Sequence, residues 1–175
     1  MKLLETKIEG VFIVELEPFA DGRGFYKRLW GADEFADLGL DSSLNNVGLS
    51  YNKKSGTVRG MHYQAEPFAE TKLVQCVRGK IYDVVLDVRQ NSKSFGKWIG
   101  EELSPENNLA FYIPKGLAHG FQTLEDDSEV LYCISEKYNA KSARGIRWND
   151  PKFGVKFPLN VSMINERDAN YPNFE

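Results

Sequence analysis

The chain is poor in the residues that usually announce a site: 175 residues hold two histidines and two cysteines, and the two signs of charge nearly cancel to a formal −3. Such a balance gives no general attraction for nucleic acid or an anionic membrane, so any anionic ligand must be held by a local basic cluster. No apolar run approaches membrane-spanning length, and the opening MKLLETKIEG lacks the apolar core of a signal peptide, so a cytoplasmic protein is expected. Cys76 and Cys133 lie far apart in apolar strand-like runs without CxxC spacing, which reads as two buried free thiols rather than a disulfide or a metal pair. Helical periodicity is scarce as well. Before the C-terminus the one candidate helix is Ala32 to Leu38, with Phe35 and Leu38 at i and i+3.

What the chain does have is strand signal. With 42% hydrophobic and 13% aromatic residues, its length fits a single globular domain over residues 1–175 with a core that needs no staples. GVFIVEL, KLVQCVRG, KIYDVVLDVR, LAFYIP and EVLYCISEKY are β-branched and aromatic runs separated by turn-forming residues. In KIYDVVLDVR, Tyr82, Val84, Leu86 and Val88 alternate with Ile81, Asp83, Val85 and Asp87, the pattern of a half-buried strand. An all-β fold follows, a sandwich or barrel with a few short helices. From Asp150 onward alternation fades, and the segment should wrap the barrel as loop and short turns.

The chemistry-bearing residues gather in a few motifs. GTVRGMHYQ holds Arg59 and His62 three residues apart, and IPKGLAHGF, a loop-like stretch, holds the other histidine, His119. On a regular strand Arg59 and His62 would point to opposite faces. Gly60 between them marks a bulge that could turn both toward one cavity. Lys72 shares a strand face with Val74 and Cys76, where a lysine needs a partner or a task. Tyr132 shares one with Val130 and Ile134, where a phenol needs a hydrogen-bond partner, and Asp83 raises the same question beside Ile81 and Val85. The spacing Gly56-x5-His62 and Pro114-x-Gly116-x-x-His119 is similar to the cupin motifs. Cupin metal sites usually carry a second histidine two places after the first; here that place is Gln64, and Glu70 is the one obvious carboxylate nearby, so no metal is expected.

Taken together, DGRGFY, RGMHYQ, KLVQCVRG, IYDVVLDVR, IPKGLAHGF, EVLYCISEKY, RWNDP and ERDANYP resemble, in order and separation, the dTDP-4-dehydrorhamnose 3,5-epimerase family, cupins that act on nucleotide-linked 4-keto-6-deoxy sugars. The resemblance implies a cupin-type jelly-roll barrel, a homodimer with an exchanged N-terminal strand, and no cofactor, since the substrate ketone itself stabilises the carbanion. It implies His62 as catalytic base with Asp168 as its carboxylate, Lys72 as the cation facing the enolate oxygen, and Tyr132 as the acid on the opposite face. A carboxylate on one ring nitrogen fixes the imidazole tautomer and leaves the other to take a proton. Arg23 and Arg59 suit a pyrophosphate. Tyr26, Arg28, Asp83, His119 and Tyr138 complete the implied substrate-binding set. A ketoisomerase acting on a similar sugar and a non-catalytic sugar-nucleotide-binding cupin are the alternatives.

Two departures from the family pattern bear on the nucleotide. Where thymidine-specific members show Gln-x-Asn-x-Ser before the RG motif, this chain is read as having Val47, Leu49 and Tyr51, which removes hydrogen-bonding groups. The D-x-R-G-x-F-x-E stretch ends here in Arg28, a cation in place of an acceptor, which favours CDP, then GDP, over dTDP.

Overall fold

The strand runs form, and the chain threads them through two facing sheets. The computed structural model describes residues 1–174. Its N-terminal part comprises β1 (Lys2–Glu5), β2 (Phe12–Glu15), β3 (Pro18–Asp21), β4 (Gly24–Lys27), α1 (Ala32–Asp37) and β5 (Asn46–Asn52). The central strands are β6 (Val58–Gln64), β7 (Lys72–Arg78), β8 (Ile81–Asp87), β9 (Trp98–Leu103) and β10 (Leu109–Ile113). Then follow β11 (Leu117–Thr123), β12 (Ser128–Ile134), β13 (Ala143–Gly145) and α2 (Glu166–Ala169).

One sheet has the order β1-β2-β10-β7-β12-β5 and the other β13-β6-β11-β8-β9, while β3 and β4 form a separate hairpin. From β5 to β13 every connection except β8 to β9 carries the chain from one sheet to the other. That crossing pattern, with antiparallel pairing within the sheets, is the cupin-like jelly roll. Between the sheets lie Val74, Cys76, Val85, Phe111, Phe121 and Val130, which form one buried core cluster. Each fully buried side chain of this size stabilises the fold by roughly 1.5–3 kcal/mol. Both cysteines are buried free thiols, and burial pushes the Cys76 thiol up to about 12.

The outer faces differ from the expectation. Strand β8 is buried on both sides rather than half-buried: Ile81 and Val85 join the interior, while Val84 and Leu86 pack outward against Ile146 and Phe153. The C-terminal segment supplies that cover. It is pinned by the Phe153–Phe174 ring contact at 5.2 Å and by the Phe174 N–H donating to Asp150 Oδ2 at 2.7 Å. This segment is loop with one helical turn, α2, whose Asn165 side chain accepts from the Asp168 N–H at 2.7 Å. On the other sheet α1 lays Phe35 against Tyr112 with ring centroids 6.0 Å apart, whereas Leu38 lies beyond the helix and half-exposed. A six-residue helix is marginal alone, so Phe35 burial holds it. Loop geometry in IPKGLAHGF is confined to residues 114–116; all seven residues of β11 are buried strand.

Candidate active site

The site begins with a register fault. His119 on β11 pairs with His62 on β6, but two residues later Phe121 pairs with Arg59, so β6 carries one extra residue between them. This is the bulge read at Gly60, and it turns Arg59 and His62 onto one cavity. Only glycine fits there. A Cβ on residue 60 would meet Gly120 Cα at 2.6 Å and the His119 carbonyl oxygen at 2.8 Å, at a φ of +123°. The neighbouring strands β6 and β11 of one sheet are in direct backbone contact at this point, and the cavity opens beside it.

That cavity, of ≈ 340 Å³, is walled by both sheets: His62, Arg59 and His119 come from one, Lys72, Tyr132 and Ser50 from the other. His62 Nε2 lies 2.7 Å from Asp168 Oδ1, and the Gly60 N–H donates to Asp168 Oδ2 at 3.1 Å. Burial works to raise the Asp168 carboxyl, but the bonds from His62, Gly60 and Arg167 outweigh it and hold the group below the ordinary aspartate range. An ionised carboxylate only accepts, so Nε2 carries the proton of this bond and Nδ1 is the nitrogen left for a substrate. Arg167 approaches the same ring nitrogen at 3.2 Å; it too is a donor, and its Nε reaches Asp168 Oδ1 at 3.2 Å. Tyr171 lies edge-on to His62 at 6.3 Å and flat over Gly145, where a Cβ would meet its ring at 2.0 Å.

Across the cavity Lys72 is buried and paired with Glu70 Oε1 at 2.9 Å. Tyr132 sits with its ring 6.2 Å from that of His119, and burial pushes its phenol up, with Ser50 and the Arg59 charge acting the other way. His119 is held by Asp83, Nε2 to Oδ1 at 2.7 Å. Asp83 itself was expected to line the pocket; it lies fully buried behind His119 instead, and its Oδ2 has no hydrogen-bond partner among the described residues. Burial pushes its carboxyl up against the pull of His119 and Lys72. Arg59 is clamped by Asn52 Oδ1 at 2.7 Å and by the Tyr51 carbonyl at 3.2 Å, and Tyr138 stands on the cavity rim.

Besides Asp83, three implied residues are not brought to this cavity within one chain. Arg23 and Tyr26 project on the β3–β4 hairpin, where Arg23 is 91% exposed and bound to Asp21 at 2.6 Å. Arg28 faces Glu34 at 3.5 Å, so a carboxylate stands beside the cation that replaces the family's acid. The reading of β5 also needs correction. Val47, Leu49 and Tyr51 point away from the cavity and are 60%, 59% and 50% exposed, because β5 is an edge strand with its odd residues outward. The inward positions are Asn46, Gly48 and Ser50, of which Asn46 and Ser50 line the cavity. The polar run survives one residue out of step.

Glu70, Arg167, Tyr171, Asn46 and Ser50 are among the cavity-lining residues that the sequence did not mark as part of a substrate site. ERDANYP contains two of them flanking Asp168, and the strand period of two would have found the β5 pair had Asn52, buried and bound to Arg59, been used to fix the register.

A histidine with its carboxylate on one sheet, facing a lysine and a phenol on the other, is equipped for proton transfer at a carbon acid, the chemistry of cupin-fold isomerases. Residues 5–175 match the family model of dTDP-4-dehydrorhamnose 3,5-epimerase. The chain is 39% identical to the dTDP-4-dehydrorhamnose 3,5-epimerase of Sinorhizobium fredii, over 99% of this chain and 89% of that one. Among solved structures it is similar to that of the Bacillus anthracis enzyme with TDP and pyrophosphate bound, at a TM-score of 0.95, 35% identity and 99% coverage of both chains. It is also similar to ChmJ, a 3′-monoepimerase from Streptomyces bikiniensis solved with dTDP-quinovose, at a TM-score of 0.89 and 31% identity over 96% of this chain and 85% of that one. The chain belongs to the dTDP-4-dehydrorhamnose 3,5-epimerase family, and it is an isomerase of the epimerase type.

Proposed function

We propose that the protein inverts C3, C5 or both of a nucleotide-linked 4-keto-6-deoxy sugar, as one cupin domain, by removing a proton beside the ketone and returning one to the opposite face. His62 Nδ1 takes the proton while Asp168 steadies the imidazolium. Lys72 faces the enolate oxygen, and Tyr132 returns a proton. The observation that carries this reading is that His62 stands on β6 and Tyr132 on β12, strands of the two sheets that face each other across the cavity. Inversion requires a base and an acid on opposite faces of one carbon, and facing sheets supply them.

The nucleotide we assign is dTDP, ahead of CDP and GDP. One of the two reasons for another base, the loss of polar groups at 47, 49 and 51, is gone now that Asn46 and Ser50 face inward. Arg28 is the remaining reason, and calorimetry with dTDP, CDP and GDP tests it; tighter binding of CDP or GDP would overturn the assignment. Arg59 and Arg167 on this chain hold the pyrophosphate together with Arg23 from a second copy. The hairpin of β3 and β4 supports the dimer: Phe19, Phe25 and Tyr26 are 69%, 65% and 62% exposed on a two-stranded element that is weak alone. Two free thiols fit a reducing cytoplasm.

The reading is tested with dTDP-4-keto-6-deoxyglucose and purified protein, following the sugar stereochemistry by proton NMR. A changed coupling pattern at C3 or C5 with the carbonyl still at C4 supports it. A carbonyl moved to C3 would make the protein a ketoisomerase, and unchanged sugars with all three nucleotides would make it a binding protein.

A further inference from the structure

Lys72 has a neighbour whose chemistry is more specific than a lysine alone needs. The lysine and Glu70 are each about one-tenth exposed, 2.9 Å apart, and both face the cavity. The other oxygen of Glu70 accepts from Gln64 Nε2 at 3.0 Å. Gln64 is fixed in turn: its Oε1 accepts the Asn139 N–H at 2.6 Å, which commits Nε2 to point toward Glu70 and the carbonyls of Phe68 at 2.9 Å and Lys137 at 3.1 Å. Glu70 therefore stands between two donors, an ammonium on one side and an amide NH₂ on the other. Only a carboxylate accepts on both sides. A glutamine in its place would turn either its own NH₂ against Gln64 or its NH₂ against Lys72.

The ammonium has three hydrogens. One goes to Glu70 and a second toward the His62 carbonyl oxygen at 3.4 Å, which leaves one for the cavity. These two acceptors come from the entry to β7 and from β6, so the direction of the third hydrogen is tied to the backbone of the catalytic histidine.

We propose that Glu70 is a positioning residue of the reaction: it aims the free N–H of Lys72 at the place where negative charge develops on the C4 oxygen. A flexible four-carbon side chain carries its donor through many rotamers, and catalysis by a fixed charge depends on that donor being in place before the enolate forms. Glu70 and the His62 carbonyl provide the fixing, and Gln64 holds Glu70. The inference rests on the epimerase reading and on Lys72 as the enolate's cation.

The test is Glu70→Gln, alone and combined with Lys72→Met, read as solvent-deuterium exchange at C3 and C5 and as kcat and KM for inversion. In the wild-type background E70Q lowers kcat on the order of 10- to 100-fold with KM little changed, the scale set by misplacing one catalytic group. In the Lys72→Met background E70Q changes the residual exchange rate little, because the group it aims is gone. Wild-type kcat in E70Q, a change confined to KM, or an equal loss in both backgrounds would overturn the proposal. Glu70→Asp covers the case of an E70Q chain that does not fold: a shorter carboxylate still accepts on both sides, so E70D retains more activity than E70Q, and less activity at equal melting temperature counts against the role. Absence of exchange in the wild-type protein would defeat the epimerase reading itself, a result distinct from all of these.

Discussion

His62 Nε2 and Asp168 Oδ1 lie 2.7 Å apart although 106 positions separate them in the chain. The histidine sits on a bulged strand and the aspartate on a single helical turn near the C-terminus, and Gly60 joins the two through its N–H. The C-terminal wrap therefore does more than cover the outer face of β8. It delivers the carboxylate that orients the His62 ring.

Asp168→Asn should lower turnover by about 10²–10⁴-fold, the usual worth of a general base in the right tautomer, since the amide can present an NH₂ to Nε2 and drive the ring proton to Nδ1. The pH dependence has a definite sign. The folded-state pKa of Asp168 is depressed below 3.8, so its contribution to stability is present above that value and is lost as pH falls through the depressed one. Any acid limb of the rate profile nearer neutrality therefore belongs to another group, and a pH–rate profile of the wild-type protein checks this.

Tyr132→Phe removes the proposed proton donor's hydroxyl and leaves His62, Lys72 and the buried ring position. Exchange of the proton beside the ketone should continue in D₂O while inversion drops by about 10²-fold or more. Equal loss of exchange and inversion would mean that Tyr132 has a part in the first proton removal as well.

Gly60→Ala should disable the site and the fold together. The added Cβ meets backbone on β11, and the positive φ alone costs an alanine roughly 1–3 kcal/mol. A lower melting temperature and lost exchange are expected together; an active protein of wild-type stability would contradict the close approach of β6 to Gly120 on β11.

Asp87 offers a contrast outside the cavity. Burial pushes its carboxyl up, but Arg89, Ser92 and Ser94 bond it and bring it down to about 2 from 3.8. This difference corresponds to about 2 kcal/mol of stability at neutral pH, fully present above 3.8 and lost as pH falls through about 2. Asp87→Asn should lose about that much in chemical denaturation near pH 7 and keep its epimerase turnover at low temperature. An unchanged denaturation midpoint would show that the Arg89 and serine bonds are not net stabilising.

Much of this was legible in the sequence, for identifiable reasons. Alternation of β-branched residues placed β7, β8, β10 and β12, and the odd spacing of Arg59 and His62 with a glycine between them pointed to the bulge. Lys72 and Tyr132 stood out because their strand neighbours are apolar. What failed had a common cause, the absence of a partner from local pattern. Strand β8 looks half-buried until the C-terminal segment is laid over it, and matching the family's polar run to Val47, Leu49 and Tyr51 falls one residue out of register, because nothing in the local pattern shows that β5 is an edge strand with those residues outward. Asp83 kept its alternation but lies behind His119, a depth that no period reveals.

The central claim is that His62 takes a proton from the carbon beside the ketone. Proton NMR of dTDP-4-keto-6-deoxyglucose in D₂O, with the wild-type protein and His62→Ala side by side, tests it directly. The account predicts loss of the C3 signal, the C5 signal or both with the wild-type protein, and exchange slower by about 10²–10⁴-fold in a folded His62→Ala. Exchange at the wild-type rate in that variant would contradict it.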